Sequence, residues 1–231
     1  MKGDNDIVYI LKADAPTEEL RYSLRSVVRN FKFRKVWFYC GCPDGLVPDH
    51  HVPFTQRGTT RFERSCSTLR AICGNDEITP TFYLFNDDFF IMRKYDQDTA
   101  IVQGSIHDHL ARLDLGTYYI LMQRQLAWLL GRGQPTMDYA THTPLPVDRA
   151  KALELLDIAR REHIEDRLFR NLYGNWAHVP YTVMPDCKIA DDGTEPDPDA
   201  ILLSTNDGSF ECGRVGEYIR ETFTRKCRYE S

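Results

Sequence analysis

The sequence predicts an α/β fold: a mostly parallel sheet flanked by helices and built as a single domain over residues 1–231. Short apolar runs fit for buried strands alternate with runs of helical periodicity. The first strand–helix–strand unit closes within about 35 residues, the length of a βαβ crossover. No internal repeat or linker-like stretch divides the chain. Its 231 residues are 42% hydrophobic and 27% charged, ordinary globular values that allow a sizeable core.

Asp6–Leu11 (DIVYIL) reads as a fully buried opening strand. Lys12–Pro16 breaks it. Asp14 then falls just past the strand's carboxyl end, where open α/β sheets place ligands, although taken alone a turn or helix-cap role is the favoured one. Thr17–Asn30 reads as a helix with Thr17 as cap, Glu18 and Glu19 in its first turn, and Leu20, Leu24, Val27 and Val28 on its buried face. Arg21 and Arg25 are four residues apart and project from one side. They form either a solvated basic face or a pair that shares an anion such as a diphosphate. Lys35–Cys40 (KVWFYC) is the next strand. Cys40, Cys42, His50 and His51 have the residue types of a zinc cluster, but the C-x-C spacing is tight and no second Cys pair follows, so idle thiols are the simpler reading.

Phe62–Cys73 reads as a helix whose polar side is basic through Arg64 and Arg70, with Arg61 just before it. It leads to Thr81–Phe85, a β-branched and aromatic strand, and then to Asn86, Asp87 and Asp88 ahead of the apolar run Phe89–Met92. Two adjacent carboxylates between buried runs repel one another and are costly to desolvate. A hard divalent cation, Mg²⁺ or Mn²⁺, removes both problems. A plain Asp turn between two strands is the alternative.

Further on, His107 and His109 form an H-x-H pattern that on a strand would face one way as a metal pair, or else lie on a surface loop. Leu115–Leu130 reads as a core helix whose Tyr118, Tyr119 and Trp128 are candidates to line an acceptor cleft. Arg149–Asn171 reads as one long helical stretch, with Leu153, Leu155, Leu156 and Ile158 as its apolar positions and His163, Arg167 and Arg170 in its later turns. Asp186–Asp199 is polar and Pro/Gly-rich, a mobile loop or lid. Ile201–Ser204 is a late strand and Gly216–Phe223 the last helix.

The formal net charge of −5 weighs against non-specific nucleic-acid binding by the whole surface. No apolar run approaches the roughly 20 residues of a membrane span. The MKGDND start lacks an apolar leader. Seven scattered cysteines fit reduced thiols, so the expectation is a soluble, cytoplasmic protein.

Three blocks in order, Asp6–Tyr9 (DIVY), Glu19–Ser26 (ELRYSLRS) and Phe85–Phe89 (FNDDF), resemble the first blocks of the Stealth family. This family contains bacterial capsular-polysaccharide phosphotransferases and the lysosomal-enzyme N-acetylglucosamine-1-phosphotransferase. His142-Thr-Pro144 followed by a helical stretch and Arg170 is similar to the third block. Thr205-Asn206-Asp207 and the tail Glu221–Glu230 (ETFTRKCRYE) are similar to the last. Where the family usually runs from its first strand into a Trp and an Asp-Gly-Ser-Asp turn, this chain has Leu11-Lys12-Ala13-Asp14, and only Asp14 can stand for the acidic turn. The acidic motif and sheet also resemble GT-A glycosyltransferases, a Rossmannoid fold.

The resemblance implies a transferase that moves sugar-1-phosphate, or the sugar itself, from a nucleotide-sugar donor to a hydroxyl-bearing acceptor. Glycan and protein acceptors suit the net charge better than modified DNA. Asp87 and Asp88 would hold the metal on the donor diphosphate, supported by Asn86, and Arg21 and Arg25 would neutralise phosphate charge. Asp14 would touch the nucleoside, His142 would act as general base or phosphate contact, and Arg170 would add a phosphate contact. Asn206 and Asp207 would close the site. The catalytic set is then Arg25, Asp88, His142 and Arg170. A non-catalytic domain that binds nucleotide sugars on the same fold is the alternative from another class.

Overall fold

A computed structural model describes residues 3–12, 17–95, 97–164, 166 and 168–231, with Thr17 described by its backbone alone. Its centre is a five-stranded sheet of order β3-β2-β1-β4-β7. These strands are β1 (Asp6–Leu11), β2 (Val36–Cys40), β3 (His50–Val52), β4 (Thr81–Phe85) and β7 (Leu145–Asp148). The first four run parallel, Ile7 opposite Val36 and Tyr83, and β7 joins β4 antiparallel with Leu84 opposite Leu145. Two small pairs complete the strands. β5 (Phe89–Ile91) lies antiparallel to β9 (Leu202–Ser204), and β6 (Ala100–Val102) lies parallel to β8 (Tyr181–Val183).

Strand alternation sorts the core onto two faces. From β1, Ile7, Tyr9 and Leu11 pack with Leu20, Leu24 and Val27 of α1 (Thr17–Asn30). Val8 points the other way, with Trp37 and Tyr39 of β2, into a cluster shared with α2 (Arg61–Cys73), α4 (Thr117–Leu130), α5 (Arg149–Arg161) and α6 (Phe169–Trp176). A smaller cluster holds α7 (Asp207–Glu211) and α8 (Arg214–Thr222) against β5 and β9 through Phe90, Leu203, Phe210 and Ile219. No described helix is long and apolar enough to cross a membrane.

Two expectations need correction. His107 and His109 lie on a short helix, α3 (Ile106–Leu110), because the Ser105 hydroxyl accepts the Asp108 N–H at 3.0 Å and caps it. On a helix, residues two apart diverge, so His107 is exposed while His109 turns inward. The stretch 149–171 is two helices, not one. His163 takes a left-handed φ of 54°, and the N–H groups of His163 and Ile164 turn back to the carbonyls of Arg160 and Ala159. This is a Schellman ending to α5 with His in the place usually taken by Gly. The cap role of Thr17 lies outside the described residues.

Candidate active site at the carboxyl ends of the parallel strands

The sheet order places β2 and β3 on one side of β1 and β4 on the other. The crossover connections therefore diverge between β1 and β4, and the crevice beyond their carboxyl ends is where such sheets bind ligands. A cavity of about 840 Å³ opens there. Its floor is the ends of the two strands, Ile10, Leu11 and Lys12 from β1, and Leu84, Asn86 and Asp87 from β4. The first turn of α2 supplies Arg61 and Arg64, α4 supplies Tyr118, and Arg170 comes from α6. His109, His142 and Asp186 complete its ionisable lining.

Asp87 and Asp88 follow β4 directly, before the chain re-enters the core as β5. Burial, and then the neighbouring Asp88 charge, push the Asp87 carboxyl up. Asp88 Oδ2 accepts from Ser204 Oγ at 3.2 Å and lies 3.4 Å from Lys188 Nζ, whereas its buried Oδ1 has no partner. Glu19 joins this acidic group from α1. It is only 8% exposed, and burial, followed by the charges of Asp88, Asp87 and Asp207, pushes it up to about 7, despite the Thr205 hydroxyl it accepts at 2.7 Å. Among the described residues no three His, Cys, Asp or Glu side chains form a complete metal site. Two mutually repelling carboxylates with an orphaned oxygen nevertheless fit a Mg²⁺-like ion, which takes one or two protein carboxylates and draws its remaining ligands from phosphate and water.

Opposite this group stand His142, Asp186 and Arg170. His142 Nδ1 lies 2.7 Å from Asp186 Oδ2, and the His142 backbone N–H donates to Oδ1 at 3.0 Å. Burial raises the Asp186 pKa, but the bonds and charge from His142 outweigh it and leave the carboxyl below its ordinary range. Arg170 donates to the carbonyls of Thr143 at 2.7 Å and Leu84 at 3.4 Å, fixing its plane across the end of β4. Burial lowers its pKa to about 10, against the pull of Asp88 and Asp186. Among the described residues no carboxylate lies within ion-pair distance of it.

Asp87, Asn86, His142 and Arg170 thus share one cavity; Asp88 is not in its lining but is close enough to act on Asp87 and Arg170, and Asp207 is close enough to act on Asp87 and Glu19. Arg21 and Arg25 do not line it. Arg25 forms a forked pair with Glu230, with both N–O distances 2.7 Å, and donates to the Phe223 carbonyl at 2.9 Å. Arg21 lies 3.8 Å from the same carboxylate and donates to the Asp44 carbonyl. Asn206 caps α7, its Oδ1 accepting the Ser209 N–H at 2.8 Å and its amide donating to the Ala190 carbonyl. Trp128 is also elsewhere, its indole donating to Glu162 at 2.8 Å. Asp14 and Arg167 lie outside the described residues. Sequence reasoning passed over Gln103, Asp138, Asp186 and Lys188, each a single polar residue with no local pattern to mark it.

No protein-family model matches the chain, and no curated protein sequence matches it. Among solved structures it is similar to the glycosyltransferase GlyE of Streptococcus pneumoniae TIGR4, at 14% identity over 96% of this chain and 62% of that one, with a TM-score of 0.47. It is similar to mouse xyloside xylosyltransferase 1 in its apo form, at 11% identity over 90% of this chain and 99% of that one, TM-score 0.45. It is also similar to the galactosyltransferase LgtC in complex with donor and acceptor sugar analogues, at 12% identity over 95% of each chain, TM-score 0.46. The chain spans about 62% of the length of the GlyE structure.

Proposed function

We propose that this chain, as a single domain, is a transferase that takes sugar-1-phosphate from a nucleoside-diphosphate sugar and places it on a hydroxyl of a glycan or protein. The observation that carries this reading is the charge of the cavity at the β1/β4 crevice. Lys12, Arg61, Arg64 and Arg170 line it against the carboxylates Asp87 and Asp186, and Asp186 is already hydrogen-bonded to His142. Such a cavity suits a diphosphate, whose transfer demands positive charge around the equatorial oxygens. The Stealth-like blocks contribute Asn86, Asp87, His142 and Arg170 to this cavity, and their resemblance is what suggests sugar-phosphate chemistry.

In this reading Arg170 and Lys12 hold phosphate oxygens, and Asn86 supports the donor beside Asp87. His142, oriented by Asp186, presents its other ring nitrogen to the reacting phosphate or to the attacking hydroxyl. Asp87 and Asp88 would hold Mg²⁺ or Mn²⁺, which when bound supplies charge neutralisation on the diphosphate. Asp207 adds to the acidic rim, and Asp14 is assigned to the nucleoside from its sequence position alone. Arg21, Arg25 and Asn206 are left out of the working set, because none lines the cavity and each is held by structural partners elsewhere.

The position of Arg21 and Arg25 favours a second reading, transfer of the sugar itself, because that chemistry needs fewer cations at the site. Released nucleotide separates the two. The protein is incubated with UDP- and GDP-sugars in Mn²⁺ or Mg²⁺, and the products are resolved by chromatography. Nucleoside monophosphate supports sugar-1-phosphate transfer, diphosphate supports sugar transfer, and neither product from any donor overturns the proposal. Chelation is expected to abolish turnover, as is Asp88→Asn.

A further inference from the structure

The cavity holds a second imidazole oriented by a carboxylate, and the chemistry above leaves it unused. His109 Nδ1 lies 2.5 Å from Asp138 Oδ2. Asp138 is fully buried, and its partners fix it in place: Gln103 Nε2 donates to Oδ2 at 2.8 Å and the Ala140 N–H donates to Oδ1 at 3.0 Å. A buried carboxylate costs several kcal/mol unless its oxygens are satisfied, and here both are. An ionised carboxylate only accepts hydrogen bonds, so His109 Nδ1 carries the hydrogen and Nε2 is left as the free nitrogen. His109, Gln103 and Tyr118 all line the 840 Å³ cavity, and the His109 side chain keeps 15% of its surface exposed.

The two imidazoles have different neighbours. His142 belongs with Asp186 and with Arg170 at the end of β4. His109 belongs with Tyr118, its ring centroid 6.0 Å away; burial pushes the Tyr118 hydroxyl up, the charges of Asp138 and Asp186 add to this, and Arg61 on α2 opposes it. A group transfer to a hydroxyl needs one proton acceptor at the nucleophile and positive charge at the phosphate. A site with two oriented imidazoles can divide those tasks.

We infer that the His109–Asp138 pair is the acceptor-side base of this cavity, and that His142 serves the phosphate. The inference rests on the nucleotide-sugar reading above and divides its roles. The acceptor O–H bond breaks and the proton passes to His109 Nε2. The oxygen bonds to the β-phosphorus, or to the anomeric carbon in the second reading, and the bond to the nucleotide breaks with its electron pair on the departing phosphate oxygen. Asp138 stabilises the imidazolium that results.

The test uses water as the acceptor and UDP- and GDP-sugars as donors, with UDP and GDP affinity measured by calorimetry. His109→Asn keeps an amide N–H near the Nδ1 position and removes Nε2. It is expected to lower kcat for donor hydrolysis by about 10²- to 10³-fold, the ordinary worth of a positioned base, while nucleotide affinity and melting temperature stay at wild-type values. Asp138→Asn should lower kcat in the same way by reversing the hydrogen at Nδ1; should it fail to fold, His109→Asn decides alone. Unchanged kcat in His109→Asn overturns the inference. So does a parallel loss of nucleotide affinity and kcat, which would make His109 a phosphate contact or a structural residue. A wild-type protein that turns over no donor overturns the underlying reading and this one with it, a result distinct from normal wild-type turnover with an indifferent His109 variant.

Discussion

Replacing Arg25 with Ala should unfold this protein more readily without touching nucleotide binding. Glu230 has a side chain with no solvent exposure, and Arg25 is 12% exposed, so their pair is largely out of water. The two parallel bonds of 2.7 Å are joined by a third to the Phe223 carbonyl, and the Tyr22 ring lies 4.6 Å under the guanidinium. In Arg25→Ala the carboxylate keeps, among the described residues, Cys227, whose N–H donates at 2.9 Å and whose thiol also bonds it, and Arg21 at 3.8 Å. Stranding one partner of a buried pair costs about 3–5 kcal/mol, and the residual contact with Arg21 places this case near the lower end. For a chain of this size each kcal/mol lowers Tm by roughly 2–4 °C, so a fall of about 10 °C is expected. Arg25→Lys should fall by about half as much, because an ammonium keeps the charge and loses the fork. Calorimetric melting gives the first number, and titration with UDP well below the lower Tm gives the second. An Arg25→Ala protein that melts with wild type but binds UDP at least tenfold more weakly would refute this assignment and return the arginine to the diphosphate.

Two further outcomes follow from buried groups. Glu19→Gln should stabilise the protein at pH 8 and change little below pH 4. Between pH 4.5 and about 7 the unfolded chain has given up a proton that folded Glu19 retains, so stability falls as pH rises through that window. At about 1.4 kcal/mol per pKa unit, and allowing for screening, the gain at pH 8 is about 2 kcal/mol in urea melts; no gain at pH 8 would show that Glu19 is not strained. Gly174→Ala should destabilise by about 2 kcal/mol, because a Cβ there would sit 2.3 Å from the Tyr139 ring, and a stability equal to wild type would contradict that packing.

What the sequence made legible was local. β1, α1, β2, α2 and β4 announce themselves by continuous apolar runs or by helical spacing, and their order fixes the crevice that holds Asn86 and Asp87. β7 does not, because Pro146 argues against a strand; it is tolerated on an edge, where β4 is the sole neighbour in the sheet. The arginine pair on α1 was legible as a pair and not as to its partner, since Glu230 lies 205 residues away from Arg25. Asp186 and Asp138 meet their histidines across 44 and 29 residues, so nothing in the local spacing marks them. Glu19 has the sequence signature of a carboxylate at a helix start, and only the packing of β5 against α1 and the Thr205 hydroxyl on its carboxylate reveal it as buried.

The most direct measurement is the position of Mn²⁺ and nucleotide in a crystal grown with UDP and Mn²⁺, located by anomalous scattering. The account predicts a manganese peak in coordinating contact with the Asp87 and Asp88 carboxylates, with the nucleotide phosphates turned toward Arg170 and Lys12. Nucleotide bound instead along the Arg25 and Arg29 face of α1, with no manganese at the Asp87–Asp88 pair, would contradict it.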